Sequence, residues 1–248
     1  MGWFAQITVG DAPPPVSDES APVSEKSAPR KLATLPRQFD LRPQFLKFGL
    51  TPRSQEARNT CSVFVTAGAL EFALSKHLGK SSPLSVEYLN WASNQIVDNT
   101  TEDRGHFFHD LLKGFELHGV CLEAEMPYAS KFDPELKPSA TAAEHAKEIA
   151  AKKFKVRWIN PWKKDPGLSE SQLREIKEVL ASGWPVAAGS SHGLLLVGYV
   201  NDIKQPGGGV FITKNSGKAA FDTVTYEFAK TKIGDVFWIE AALKPKAK

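Results

Sequence analysis

The sequence predicts an α+β fold, helices first and strands after, and three observations predict it. Between residues 60 and 119, apolar side chains recur at helical spacings in three successive segments. Beyond residue 152 they come instead in short continuous or alternating runs, FKVRWI, WPVAAG, GLLLVGYV, GVFITKN and DVFWIEA, which have the length and texture of strands. A chain of 248 residues that is 42% hydrophobic can bury a core without help from its two cysteines. Segregated helices and strands indicate α+β layering and not an alternating βαβ sheet. No strand-like run is followed by GxGxxG or GxxxxGKS/T, so nucleotide chemistry has no support.

Taken in order, residues 11–35 are rich in Pro, Ser, Ala and charge, with almost no large apolar side chains to offset the entropy of ordering. They read as a flexible tail, and the folded part is expected to begin near Leu35 and Pro36. The segment CSVFVTAGALEFALSKHLG follows as a helix, with Thr60 read as its cap, Cys61 in its first turn and Gly79 as its stop. A second helix starts at Ser82 or Ser85 and turns Tyr88, Leu89, Trp91 and Ala92 inward. A third, GHFFHDLLKGFELHG, sets Phe107, Phe108, Leu111, Leu112 and Phe115 at helical spacings and ends at Gly119. Further helices are expected over 140–152 and 168–180, the latter with Ser169 and Gln172 in capping-box positions.

Composition removes several classes of function. The 31 basic and 28 acidic residues are distributed through the chain, leaving a net charge of +3 and no basic cluster long enough for a nucleic-acid track. No nucleic acid is therefore expected as a partner. No apolar stretch approaches the ~20 residues of a membrane-spanning helix, so no membrane partner is expected either. Residues 1–10 lack the basic region and the ~7–15-residue apolar core of a secretory signal, so no export address is readable and the compartment is left open. His106, His109 and His118 share one predicted helix, but no second pair of ligands accompanies them, and no metal is expected. Cys121 reads most simply as a buried free thiol.

Three residues carry a chemical pattern. Cys61, at a helix N-terminus, lies where the macrodipole and free backbone N–H groups favour a thiolate. His192 opens SHGLLLVGYV, which puts its imidazole at a strand edge, where a base belongs. Asn215 closes the strand GVFIT, and an amide there can bond one ring nitrogen of a nearby histidine, leaving the other to face a thiol. Each alone has an ordinary structural reading: a small core cysteine, a strand-entry histidine and an Asn-Ser-Gly turn.

Together, and in this order, these residues resemble the papain-like cysteine peptidases over about residues 36–241. Phe39, Asp40, Leu41 and Arg42 resemble that family's mature start, and Gln55, six residues before Cys61, stands at the separation of its oxyanion glutamine. Leu84-Ser85, Gly119 with Glu123, Pro127-Tyr128, Pro185-Val186, Val197-Gly198-Tyr199 and Lys214-Asn215-Ser216 follow in the family's order. His192 comes 131 residues after Cys61 and Asn215 154 after it, close to the ~130–150 usual there. The resemblance implies a two-lobed fold, mainly helical over 36–130 and an antiparallel β-barrel-like lobe over 131–248, with the cleft between them. It implies Cys61 as nucleophile, His192 as base, Asn215 as its orienter and Gln55 as oxyanion donor. A peptide or protein substrate, no cofactor and a monomer are the corresponding expectations.

The sequence also departs from that family. Arg58, Asn59, Thr60 and Ser62 stand where the signature around the nucleophile has Cys, Gly, Ser and Trp, which removes a usual disulfide and an aromatic cleft wall. Gly217 replaces the Trp that shields the Asn–His hydrogen bond in the family, and an unshielded bond in higher dielectric is weaker. Residues 1–35 are too short and of the wrong composition for the family's helical inhibitory propeptide. The expectation is a cysteine peptidase. Its alternatives are a catalytically weak or inactive peptide binder and an acyltransferase on the same scaffold.

Overall fold

The computed structural model describes residues 34–99 and 101–241, so the segment read as a flexible tail lies outside them except for its last two residues. β1 (Gln38–Asp40) and α1 (Arg42–Lys47) precede three helices, α2 (Cys61–Leu78), α3 (Val86–Ile96) and α4 (Phe108–His118). After α5 (Ala140–Ala150) come β2 (Phe154–Asn160), α6 (Glu170–Ala181), β3 (Val186–Gly189) and β4 (Leu194–Asn201). A 3-10 turn at Pro206–Gly208 leads to β5 (Gly209–Asn215), β6 (Ala220–Thr225), α7 (Tyr226–Lys232) and β7 (Asp235–Ala241). Every strand pairing is antiparallel, in the order β2-β7-β3-β4-β5-β6, with β1 added on β4. The class is α+β, as the order of helices and strands predicts.

α2 forms the centre of the molecule. Every residue from Val63 through Ser75 is buried, so the helix has no solvent face and its apolar positions run all round it. The neighbours explain why: α3 and α4 cover it on one side, and β3, β4 and β7 on the other. It stops at Gly79, which takes the left-handed conformation that sidechain-bearing residues disfavour. Thr60 does not cap it. No side-chain capping bond forms, because the Thr60 hydroxyl is engaged at 2.7 Å with the hydroxyl of Tyr128.

α3 starts from Ser85, whose Oγ accepts from the Tyr88 N–H at 2.9 Å. Tyr88, Leu89 and Ala92 point inward as expected, but Trp91 is only half-buried, its ring edge-on to Tyr88 and to His118. α4 begins one residue later than the apolar pattern suggests. Phe107 is its extended N-cap and stays 36% exposed, stacked on His109, while Phe108, Leu111 and Phe115 enter the core. The α3 and α4 axes approach closely at Gly114, where a Cβ would stand 2.9 Å from the Ser93 nitrogen. α6 carries the expected capping box between Ser169 and Gln172.

One core spans α2, α6 and the sheet, and a smaller one, Tyr88, Ala92, Cys121, Met126, Ala142 and Ala146, joins α3 to α5. The helical layer thus reaches into residues 140–150, and the sheet takes β1 from the start of the described chain. No helix among the described residues is long and apolar enough to cross a membrane.

Candidate active site

Cys61 is the first residue of α2 and is half-buried. Its thiol sits below the ordinary value. Burial, the largest single influence, opposes ionisation, but the hydrogen bond to His192, the Gly193 backbone, the imidazolium charge and the Ser62 backbone together outweigh it. Gly193 can do this because it has no side chain: a Cβ there would crowd the Cys61 carbonyl carbon at 3.0 Å and the Ser62 nitrogen at 3.1 Å. The entry of β4 therefore lies directly against the first peptide of α2.

His192 is half-buried at that entry. Its backbone N–H donates to Ser190 Oγ at 3.2 Å, and the Ser190 hydroxyl donates to the His192 carbonyl at 2.7 Å, which closes the turn before the strand. The ring Nε2 lies 2.9 Å from Asn215 Oδ1. An amide oxygen can only accept, so Nε2 carries a proton and Nδ1 is left for the sulfur. The imidazole is held above its ordinary value, first by the hydrogen bond to Cys61, against burial, and further by the thiolate charge and Asn215. The pair favours thiolate with imidazolium.

Asn215 ends β5, and its Oδ1 also accepts from the Gly217 N–H at 3.0 Å. The glycine at 217 predicts a bond open to water. Asn215 is nevertheless only 8% exposed, although Gly217 itself is exposed. A Cβ on Gly217 would reach 3.3 Å from the His192 ring, so this residue lies directly over the Asn–His pair.

Gln55 is tied to the same strand end. Its backbone N–H donates to the Ser216 carbonyl at 3.1 Å, and its Oε1 accepts from Ser216 Oγ at 2.8 Å. Its Nε2 donates to the Arg58 carbonyl at 2.8 Å, and Tyr128 donates its hydroxyl to the Gln55 carbonyl at 2.9 Å. The four predicted site residues thus come together: Cys61, His192 and Asn215 in one chain of contacts, and Gln55 through Ser216, the neighbour of Asn215.

Behind the site, Lys214 points to the opposite face of β5 from Asn215. Its ammonium lies 3.0 Å from Glu71 of α2, whose other oxygen is 3.2 Å from Arg53. Glu71 is held below the ordinary carboxylate value: burial pushes up, but Lys214, Arg53 and the Leu84 N–H outweigh it. This buried pair fastens α2 to β5, the two elements that carry Cys61 and Asn215. Of the histidines considered for a metal, His109 faces Asp110 and His118 packs on Trp91, and among the described residues no cluster of three ligands is placed to hold an ion. Burial, the largest influence, pushes the Cys121 thiol up to about 12.

The sequence pattern missed Gly193 and Tyr128 as partners of the site. The glycine directly after His192 was the available signal for the first. Pro127-Tyr128 counts toward the family's order, but nothing local foretells the hydroxyl bonds of Tyr128, which depend on the 121–139 segment folding back over 55–60.

This architecture is the papain-like fold of cysteine proteases. The chain superposes on xylellain, a cysteine protease from Xylella fastidiosa, with a TM-score of 0.64 at 20% identity, covering 85% of this chain and 88% of that one. It matches the Amb a 11 cysteine protease of ragweed pollen, in its proform, with a TM-score of 0.63 at 18% identity, over 87% and 69% of the two chains. Digestive procathepsin L 3 of the Tenebrio molitor larval midgut gives 0.61 at 16% identity, over 86% and 72%. No family model and no curated protein matches the sequence.

Proposed function

We propose that the protein is a cysteine peptidase, with residues 36–248 as the peptidase domain and 1–35 as a tail. The observation that carries this reading is a half-buried thiol at a helix N-terminus, acidified by an imidazole that an amide in turn orients. A core cysteine needs no such partners. All four groups belong to one chain, so no second subunit is required.

The Cys61 thiolate adds to the carbonyl carbon of a peptide bond, and the carbonyl π electrons move onto oxygen. The backbone N–H of Cys61 and the second N–H of Gln55 Nε2 receive that oxyanion; one such donor lowers a barrier by ~2.7–4 kcal/mol. The C–N bond then breaks as His192 gives its proton to the departing amine, leaving a thioester on Cys61. His192 next takes a proton from water, the hydroxide adds to the thioester, and the carboxylic product leaves with the thiolate and imidazolium restored. Asn215 keeps the ring in the tautomer and orientation that both steps need.

Cys61→Ala should abolish hydrolysis of a fluorogenic peptide library while leaving the melting temperature nearly unchanged; retained hydrolysis would sink the proposal. Fast alkylation of Cys61 by chloroacetamide at neutral pH is expected of the peptidase, whereas slow or absent alkylation would favour the peptide-binding alternative.

A further inference from the structure

The turn that holds Gln55 is fastened by a buried charge that the reaction does not use. Arg58 donates its backbone N–H to the Gln55 carbonyl at 3.2 Å, closing a turn in which Glu56 has φ +53°. A non-glycine residue in the left-handed region is strained and persists only where its surroundings hold it. The Arg58 side chain supplies the hold. It is 3% exposed, and its Nη1 reaches Glu87 on α3 at 2.5 Å and the Ala129 carbonyl at 2.8 Å. Nε and Nη2 reach Asp103 at 3.3 Å, and the rings of Tyr128 and Phe132 flank the guanidinium at 5.0 and 5.7 Å. Asp103 also takes Asn59: its backbone carbonyl accepts from the Asn59 amide at 3.0 Å.

Stability alone does not explain a guanidinium here. Burying one cation among carboxylates gains little over a well-packed apolar residue, because desolvation offsets the attraction. What the ion cluster adds is direction. The planar fork spans three separate segments, α3, the stretch before α4 and the stretch after Cys121, and so fixes the place of residue 58 itself. The Arg58 carbonyl is the acceptor for Gln55 Nε2, and Ser216 holds the Oε1 end, so the amide plane has one anchor at each end. We infer that Arg58 is a positioning residue for the oxyanion donor: the Arg58–Glu87–Asp103 cluster aims the second N–H of Gln55 into the cleft. The inference rests on the proposed peptidase reading and deepens it. Arg58 stands where the resembled signature has a cysteine, so a fastening by charge replaces one by sulfur.

The test compares Arg58→Lys, Gln55→Ala and the double variant in two assays: kcat/KM for peptide hydrolysis, and the rate at which the Cys61 thiolate displaces chloride from chloroacetamide. The second assay needs the thiolate but no oxyanion donor. Arg58→Lys should lower kcat/KM ~10- to 100-fold through kcat, leave the alkylation rate within about twofold across pH, and add nothing in the Gln55→Ala background. Alkylation that falls in step with hydrolysis, or losses that multiply in the double variant, would overturn the inference. A weak Gln55→Ala beside a fully active Arg58→Lys would overturn this inference alone. A fully active Gln55→Ala would remove Gln55 as the donor and the inference with it, and a wild type without hydrolysis would remove the proposed function itself. Should Arg58→Lys not fold, Asp103→Asn, which takes one anchor from the same guanidinium, gives the same pattern with a smaller loss.

Discussion

α2 and β5 are joined twice, and the two junctions are opposites. At the helix tip, half-buried Cys61 reaches Asn215 through half-buried His192. Ten residues along the helix, Glu71 meets Lys214 directly, at 1% and 9% side-chain exposure. Each contains a pair of opposite charge, but only Glu71 and Lys214 pair α2 with β5 directly. At the tip the partner of Cys61 is His192, before β4, which neutral Asn215, next to Lys214, ties to β5. The buried pair is closed off from any ligand and holds the elements in register. The half-buried pair is reachable, and its protons can move. On the proposed reading, one pair fastens and the other reacts, and the two differ in depth as well as in residue type.

The largest effect that would sharpen this contrast is in stability. Lys214→Met leaves the Glu71 charge deep in the core with only Arg53 beside it, and should cost about 3–5 kcal/mol in urea unfolding. Replacing Glu71 with Leu as well should recover much of that, since the two charges then leave together. Cys61→Ala, at the other junction, should stay within about 1 kcal/mol of the wild type. Equal losses at both junctions would break the distinction.

A smaller effect concerns the reacting pair alone. Asn215→Ala removes one hydrogen bond from the imidazolium, worth about 1.5–3 kcal/mol, and so should slow hydrolysis about 10- to 150-fold. The pH dependence gives the sign. Cys61 ionises below its ordinary value and His192 loses its proton above its own, so the ion pair spans a window between the two. Alkylation of Cys61 should therefore begin at lower pH than for a free thiol, and loss of Asn215 should bring down the upper edge of the pH profile of hydrolysis, where His192 loses the proton that it gives to the departing amine. An unchanged upper edge would show that the amide does not support the charged ring.

The smallest effect tests a third case, a buried acid without a close cation. Asp235 is pushed up to about 6, chiefly by burial, with His109 only partly countering it. The folded protein keeps a proton here that the unfolded chain releases near the ordinary aspartate value of 3.8. Its contribution to stability should accordingly fall as pH rises from about 4 to 6 and then level off. Asp235→Asn should flatten that slope in melting scans.

The site residues were legible because each stands at an element end that local pattern marks: Cys61 after a polar run, His192 before an apolar strand, Asn215 at a strand's close. The capping box at Ser169 was readable for the same reason. The ties between distant segments were not. Thr60 looks like a cap by spacing, yet its hydroxyl serves Tyr128, 68 residues away. β1 is three residues long, and β6 reads AFDTVT, too short or too polar to announce strands that exist mainly because β4 and β5 offer them edges. Arg58 stood out in the sequence only as a departure, since its partners Glu87, Asp103 and Ala129 are fixed by tertiary packing.

The separation of Cys61 from the groups that acidify it has a consequence for biosynthesis. The Gly193 backbone and the His192 ring lie more than 130 positions downstream, and Asn215 lies 154 downstream. A ribosome-bound chain that has exposed α2 but not yet β4 and β5 carries an unremarkable sulfhydryl beside other newly made proteins. On the proposed reading, the groups that would acidify the thiol arrive only once β4 and β5 have been made and have paired against α2.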